Sequence, residues 1–359
     1  MKLGIIGLPN SGKTTVFNAL TGSNLETSAV SSGKLEVHTA VVNVPDARVD
    51  QLSSMFNPKK TTYATVVYND VAGVDKGIGN EGMSGQLRNA LSNLDGLIHV
   101  IRVFEDNTVP HPYETVDPAR DLEIVDAEFL LSDLITVERR LERLNEDLKK
   151  GKVGDKRAIT EEIELLTRLK QHLETEKPLR DLDLTEHEMK PLRGYGLLSL
   201  KPVVIVLNFG EKSRNPAELI TYPHKNSVLL GLQGKIEAEI AQLPADDRAM
   251  FMEEYGISES GAARAVQASY ELMKIMTFFT VGPDEVRAWS VDKDATAPEA
   301  AGAIHSDLQR GFIRAEVFTY DDFVTLGGVN EIKAKGKFRL EGKEYIVQDG
   351  DILNIRFNV

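Results

Sequence analysis

An eight-residue glycine loop near the amino terminus constrains the fold more than any other part of this sequence. Residues 7–14 read Gly-Leu-Pro-Asn-Ser-Gly-Lys-Thr and match G-x-x-x-x-G-K-[ST] at every fixed position. The apolar residues 3–6 predict a buried strand before the loop, and residues 15–20 predict the start of a helix after it. A strand, a glycine loop and a helix in this order are typical of a nucleotide-binding P-loop.

The residue types of this loop fit nucleotide phosphates. The glycines let backbone N–H groups converge on phosphate oxygens, Lys13 supplies a cation to the β- and γ-phosphates, and the Thr14 hydroxyl can ligate Mg²⁺. Lys13 is therefore also a predicted catalytic residue. The predicted nucleotide contacts in the loop are Pro9, Asn10, Ser11, Gly12, Lys13, Thr14 and Thr15.

Composition narrows the class of protein. The chain has no cysteine, which excludes disulfides, thiol catalysis and cysteine-based zinc sites and favours a reducing compartment. No stretch approaches the roughly 20 apolar residues of a membrane span, and the amino terminus enters a strand at once, so we expect a cytoplasmic protein with no signal peptide. The net charge of −13 argues against general attraction to nucleic acid, so an RNA contact needs a local basic patch.

The spacing of apolar residues changes along the chain, whose 359 residues are enough for two or three domains. Residues 1–125 alternate predicted strands and helices, as in a parallel sheet covered on both faces. Residues 126–190 carry apolar positions at helical spacing in two runs around a glycine-containing turn, which indicates an antiparallel helical hairpin. Its tip is basic, and is either a solvated turn or a contact point for an anionic partner.

The α/β pattern then resumes and gives way to a small α+β region. Strands are predicted at 202–208 and 228–230, and after about residue 277 at 285–291, 312–317, 345–347 and 351–357, with a helix at 297–309. The predicted fold is therefore an α/β P-loop domain with a mostly parallel sheet, an inserted helical hairpin and a carboxy-terminal α+β domain. The predicted boundaries are 1–125 and 200–276 for the nucleotide-binding domain, 126–199 for the insertion and 277–359 for the last domain.

A second phosphate motif, Asp70-Val71-Ala72-Gly73, follows the predicted strand at 65–69. In switch-type nucleotidases the Asp of D-x-x-G holds Mg²⁺ through water, and the Gly N–H reaches the γ-phosphate. Asp70 is thus a predicted metal residue with Thr14, and Gly73 a predicted nucleotide contact. Val74 stands where Ras-type GTPases place a Gln, so either hydrolysis is very slow or another group reaches the attacking water.

The base-recognition element is altered. Asn208-Phe209-Gly210-Glu211 stands where related GTP-binding folds carry N-K-x-D, whose Asp accepts hydrogen bonds from guanine. Glu211 is longer than Asp and poorly placed for the guanine edge, which favours adenine. The alternative is that these four residues form only a turn at the end of a strand.

Together these motifs resemble the YchF or Obg-like ATPase family over essentially the whole chain. The blocks 285–289, 295–298, 311–315 and 345–351 are similar to that family's TGS domain, a small β-grasp module. The resemblance implies a G-domain split by a coiled-coil hairpin, preference for ATP over GTP, slow Mg²⁺-dependent hydrolysis and association with the ribosome or ribosomal RNA. It also implies that His111 substitutes for the missing catalytic Gln, since an imidazole can orient water; the alternative is an exposed loop histidine.

Two departures from the family pattern bear on turnover and base choice. Lys34 stands where the family has a Thr that caps Mg²⁺, with Thr39 as a possible stand-in, and residues 232–234 replace the family's base-contacting segment. We therefore expect a monomeric, slow ATPase switch. The alternatives are a GTPase of the same architecture and a nucleotide-binding module with negligible hydrolysis.

Overall fold

The computed structural model describes four stretches of the chain, residues 1–27, 36–72, 83–150 and 156–358. The strands are β1 (Lys2–Ile6), β2 (Glu36–Asn43), β3 (Lys60–Thr62), β4 (Thr65–Ala72), β5 (Gly96–Arg102), β6 (Val203–Asn208), β7 (Ser227–Leu232), β8 (Ile275–Thr280), β9 (Glu285–Asp292), β10 (Phe312–Thr319), β11 (Arg339–Glu341) and β12 (Asp351–Phe357). The α-helices are α1 (Lys13–Thr21), α2 (Ala47–Phe56), α3 (Gly85–Ser92), α4 (Pro118–Lys149), α5 (Lys156–Leu173), α6 (Glu186–Leu192), α7 (Gly234–Ala241), α8 (Ala245–Glu254), α9 (Gly261–Leu272), α10 (Ala297–Ile304), α11 (Ser306–Arg310), α12 (Tyr320–Leu326) and α13 (Val329–Ala334). No helix within these stretches is long and apolar enough to span a bilayer.

The chain divides into two compact units, of which the first comprises residues 1–40 and 67–265. Its sheet has the strand order β2-β4-β1-β5-β6-β7, and the pairs β1–β4, β1–β5, β5–β6 and β6–β7 are parallel. Every residue of β5 and β6 is buried, as expected for central strands with both faces covered. The predicted mostly parallel α/β sheet is confirmed.

The predicted pair of long helices is also present in this unit. α4 begins at Pro118 because Asp117 accepts the Arg120 N–H and a proline suits the first helical position. The proposed domain boundary at 125/126 therefore falls inside one helix. The two helices pack through a shared apolar cluster that includes Leu144, Leu166 and Leu169. The predicted tip lies partly in residues 151–155, outside the described stretches.

The second unit comprises residues 41–66 and 266–359, and its sheet has the order β11-β10-β12-β8-β9-β3. Its core lies between this sheet and α10. The short β3 pairs parallel with β9, with Lys60 opposite Glu285, so an amino-terminal segment supplies the edge strand of a carboxy-terminal sheet. The sequence patterns did not anticipate this strand.

Two local predictions in the second unit are wrong. Residues 345–347 form no strand, because the segment makes only an isolated bridge between Ile346 and Thr296. The helix predicted at 297–309 divides into α10 and α11, since the extended backbone of His305 (φ −163°) interrupts it.

Candidate nucleotide site

The glycine loop between β1 and α1 has a backbone that only glycine can form at two points. Gly7 has φ 149°, and a Cβ there would lie 2.3 Å from the carbonyl oxygen of Val100 in β5. Gly12 has φ 90°, and a Cβ there would lie 2.2 Å from Asn208 Nδ2. The two glycines therefore let the loop approach β5 and the end of β6 closely.

Lys13 lies across this loop. Its Nζ donates to the carbonyl oxygens of Gly7 at 3.2 Å and Leu8 at 2.8 Å, which holds the ammonium against the first residues of the loop. The hydroxyl of Ser11 is buried and has no hydrogen-bond partner among the described residues. Pro9 and Thr15 are half-buried. This arrangement concentrates positive charge and an unused donor where anionic phosphates bind a P-loop.

Thr14 and Asp70 meet at the carboxyl edge of the sheet. Thr14 Oγ1 donates to Asp70 Oδ2 at 2.8 Å, and Asp70 is placed there by the pairing of β4 with β1, which sets it opposite Ile5. Asp70 is fully buried, and its Oδ1 has no hydrogen-bond partner among the described residues. Burial raises the pKa of Asp70, against the lowering effects of the Thr14 hydrogen bond and the charge of Lys13.

This pair fits a divalent cation. A buried carboxylate oxygen without a donor, next to a hydroxyl, offers the hard oxygen ligands that Mg²⁺ takes beside phosphates. Three other residues that the sequence associates with this end of the site, Gly73, Val74 and Lys34, lie outside the described residues.

The stand-in role of Thr39 stays a prediction, because Thr39 has another partner in this structure. Its Oγ1 donates to Asn69 Oδ1 at 2.9 Å. Because successive residues of a strand face opposite sides, Asn69 and its partner lie on the face of β4 opposite to Asp70. Thr39 therefore does not reach the metal end of the site in this structure.

At the end of the site where the sequence predicts contacts to the nucleotide base, Asn208 connects the glycine loop, β6 and α7. Its Nδ2 donates to the Ser11 carbonyl at 3.0 Å, its Oδ1 accepts the Gly234 N–H at 3.2 Å, and the residue is 2 % exposed. The amide thus fastens the glycine loop to the end of β6 and to the start of α7. Two hydrogen bonds of the Asn208 amide are already used inside the protein.

Phe209 and Glu211, which follow Asn208 in the chain, differ in burial. Phe209 is buried in the core, whereas Glu211 is exposed and its backbone oxygen accepts the Gln233 side-chain amide at 2.7 Å. The Phe that replaces the usual Lys therefore serves packing. The segment 232–234 does lie against the 208–211 segment.

Sequence reasoning missed an aromatic residue beside the loop. A Cβ at Gly12 would lie 3.6 Å from the Phe104 ring, and the Arg102 guanidinium lies 4.4 Å from the centre of that ring. A half-buried aromatic face held in this way can pack against a planar base. Nothing in the sequence marks Phe104, which simply follows β5 by two residues.

His111 is not an exposed loop histidine. Its side chain is 3 % exposed, its Nε2 lies 2.9 Å from Asp121 Oδ2, and its Nδ1 accepts the Tyr113 N–H at 3.1 Å. The preceding residue, Pro110, accepts a hydrogen bond from Asn10 Nδ2 at 3.0 Å, so this loop touches the glycine loop. A water-orienting role for His111 stays a prediction, and it requires the imidazole to leave these contacts. Asp121 was also missed, since it lies in the first turn of α4, ten positions after His111.

Comparisons with known proteins agree with this geometry. Residues 2–130 match the family described as 50S ribosome-binding GTPase, and residues 275–358 match the carboxy-terminal YchF-GTPase family, described as a protein of unknown function. The chain is 41% identical to the Ribosome-binding ATPase YchF of Bacillus subtilis over 99% of both chains. It is 36% identical to Obg-like ATPase 1 of rice, covering 100% of this chain and 92% of that one. The solved structure of the Schizosaccharomyces pombe YchF GTPase superposes with a TM-score of 0.83 at 28% identity, covering 99% of this chain and 97% of that one.

Proposed function

Because the chain belongs to the YchF family, we propose that it is a switch that binds ATP with Mg²⁺, hydrolyses it slowly and associates with the ribosome in the cytoplasm. The observation that carries the proposal is the hydrogen bond between Thr14 and the buried Asp70, beside Lys13. The relative from Bacillus subtilis, named a ribosome-binding ATPase, aligns over nearly the full length, so both the site and the remaining domains have counterparts.

Different groups of the chain have different roles at the phosphates. Lys13 and the N–H groups at the start of α1 bind the β- and γ-phosphates, and the Ser11 hydroxyl donates to a phosphate oxygen. Thr14 and Asp70 would hold Mg²⁺, which would offset the charge that develops on the phosphates. Slow turnover follows because Val74 cannot orient water and His111 is engaged elsewhere.

A preference for ATP is supported by the base end. Glu211 is exposed and longer than the Asp that reads guanine, and Asn208 already bonds Ser11 and Gly234. The test is a titration of ATP and of GTP, each with Mg²⁺. We expect tighter binding of ATP, and tighter binding of GTP contradicts the proposal.

Specific observations favour each of two other functions. Asn208 Nδ2 has a second hydrogen, a donor that guanine could accept, and the solved relative is named a GTPase. The closed contacts of His111 favour a module that binds nucleotide without turnover. The module without turnover is ruled out if the protein releases phosphate faster than buffer alone and Lys13→Ala loses this release.

The ribosomal partner rests on the relatives and on local basic groups. We propose that residues 277–359 form a TGS domain and that the protein binds the ribosome as a monomer. Several basic side chains there are paired internally, since Lys337 bonds Asp322 and Arg339 bonds Tyr345. Lys335 and Lys343 remain exposed. Co-sedimentation with ribosomes over a salt series tests the proposal, and absence of the protein from the pellet at low salt contradicts it.

A further inference from the structure

The hydrogen bonds around His111 determine which nitrogen of its ring carries the hydrogen. Nδ1 accepts the Tyr113 N–H, so the proton of the ring lies on Nε2, which donates to Asp121 Oδ2. With one nitrogen accepting and the other donating, the imidazole has no lone pair for a water molecule. The geometry therefore describes a histidine that is held inactive.

Asp121 is itself held firmly. Its Oδ1 accepts hydrogen bonds from Arg120 Nε at 3.0 Å and from the Arg120 terminal nitrogen at 2.8 Å, and its side chain is 4 % exposed. The Arg120 guanidinium also lies 5.2 Å from the centre of the ring of Tyr113, the residue whose backbone N–H bonds His111. These contacts form a small unit in which Asp121, Arg120 and Tyr113 surround the imidazole.

The helix side of this unit is anchored to parts of the fold beyond α4, whereas the loop side is tied to α4 itself by the hydrogen bonds of Arg120 to Thr115. Further along α4, Asp126 accepts a hydrogen bond from Tyr222 at 2.7 Å, and the buried Asp133 accepts the N–H groups of Leu198 and Ser199, each at 2.8 Å. His111 lies instead in the irregular segment between β5 and α4. Opening of the unit thus requires movement of His111 away from a fixed Asp121.

The same segment is connected to the glycine loop. Asn10 Nδ2 bonds the carbonyl oxygen of Pro110, and Asn10 has the left-handed φ of 60°. A ligand that reorganises the glycine loop acts through this bond on the residue directly before His111. The site therefore has a physical route from phosphate binding to release of the imidazole.

We propose that Asp121 is a positioning residue that holds His111 away from the nucleotide, and that occupation of the glycine loop releases it. The inference rests on the proposed function, in which His111 orients the attacking water. It assigns the slow basal rate to a specific hydrogen bond rather than only to the missing Gln.

Turnover measurements on the full chain test the proposal. Asp121→Ala leaves the buried Nε2–H without an acceptor and raises kcat about tenfold, with little change in KM, because the lost hydrogen bond involves a charged group. Asp121→Asn keeps an acceptor oxygen and raises kcat less. Asp117→Ala, which removes the cap of the same helix but no contact to His111, leaves kcat unchanged. The double variant with His111→Ala turns over like His111→Ala alone. An unchanged or lower kcat in a folded Asp121→Ala protein overturns the proposal.

A second measurement does not depend on hydrolysis. In long-range ¹H–¹⁵N spectra, the His111 signals, assigned by their loss in His111→Ala, should show the Nε2–H form without nucleotide. They should change when a non-hydrolysable ATP analogue and Mg²⁺ are added. Unchanged signals at saturating analogue overturn the proposal even if the protein hydrolyses ATP. If His111→Ala turns over normally while the signals change, the contact is released as proposed and the catalytic role of His111 is what fails.

Discussion

The phosphate end of the site and the His111 segment differ in how their polar groups are satisfied. At the phosphate end, Ser11 Oγ and Asp70 Oδ1 are buried without hydrogen-bond partners among the described residues. Around His111, both ring nitrogens and both Asp121 oxygens are bonded. Buried polar groups without partners are costly, so the first region is built to receive a ligand, whereas the second is complete without one. We therefore expect that substitutions in the two regions affect nucleotide binding and turnover separately.

The largest effect is expected at Lys13. Lys13→Ala removes the cation from the β- and γ-phosphates and should lower phosphate release about 10²–10³-fold, with loss of ATP binding in calorimetry. Lys59→Ala, which removes an exposed lysine paired with Asp284, is the control and should leave both unchanged. If Lys13→Ala keeps its affinity for ATP, the phosphate end is not the region that binds the ligand, and the difference between the two regions is refuted.

Asp70→Asn should separate ligand binding from stability at the phosphate end. The substitution removes a buried charge whose pKa is raised by burial, so thermal stability without Mg²⁺ should not fall. Mg²⁺-dependent turnover should fall about 10–100-fold, because the carboxylate orients the metal and the Thr14 hydroxyl. A Mg²⁺ titration monitored by phosphate release measures this, and an unchanged Mg²⁺ requirement would refute the assignment of Asp70.

Substitution of Asn208 tests whether this residue supports the glycine loop as well as the base end of the site. Asn208→Ala leaves the Ser11 carbonyl and the Gly234 N–H without partners, which should cost about 1–3 kcal/mol of unfolding free energy and weaken ATP and GTP alike. Glu211→Gln, at an exposed position, should keep stability and change only the ratio of the two affinities. Denaturant unfolding and nucleotide titration distinguish the two variants; equal stability of both would contradict the bridging role of Asn208.

An effect confined to stability is expected on the anchored side of the His111 unit. Burial raises the pKa of Asp133 from 3.8 to about 6. Between these pH values the folded protein binds a proton that the unfolded chain has released, so this carboxyl's contribution to stability is lost as pH rises from about 4 to 6. Asp133→Asn should remove that trend, and its stability relative to the unsubstituted protein should change by on the order of 1–3 kcal/mol over this range.

Urea unfolding at several pH values measures this difference. The control is Asp147→Asn, at an exposed position of the same helix, which should follow the unsubstituted protein throughout. A constant difference between Asp133→Asn and the unsubstituted protein would show that the carboxyl does not titrate as described.

Local patterns predicted the elements that depend on neighbours in sequence. The strand before Gly7, the buried strand β6 and the two long helices follow from apolar periodicity, and all are present. Patterns failed where pairing decides the structure: β3 is only three residues long and exists because β9 offers it an edge. The segment 345–347 has strand-like residues but lacks a partner strand.

The sequence by itself determined that a glycine loop precedes a helix with Lys13 and Thr14 in its first turn, because that motif lies within eight consecutive residues. Only the tertiary structure decided that Thr14 meets Asp70, that Asn208 bonds Ser11, and that His111 is held by Asp121. These contacts join residues that are 56, 197 and 10 positions apart. Their geometry is set by strand order and by the fixed position of α4, which no local periodicity encodes.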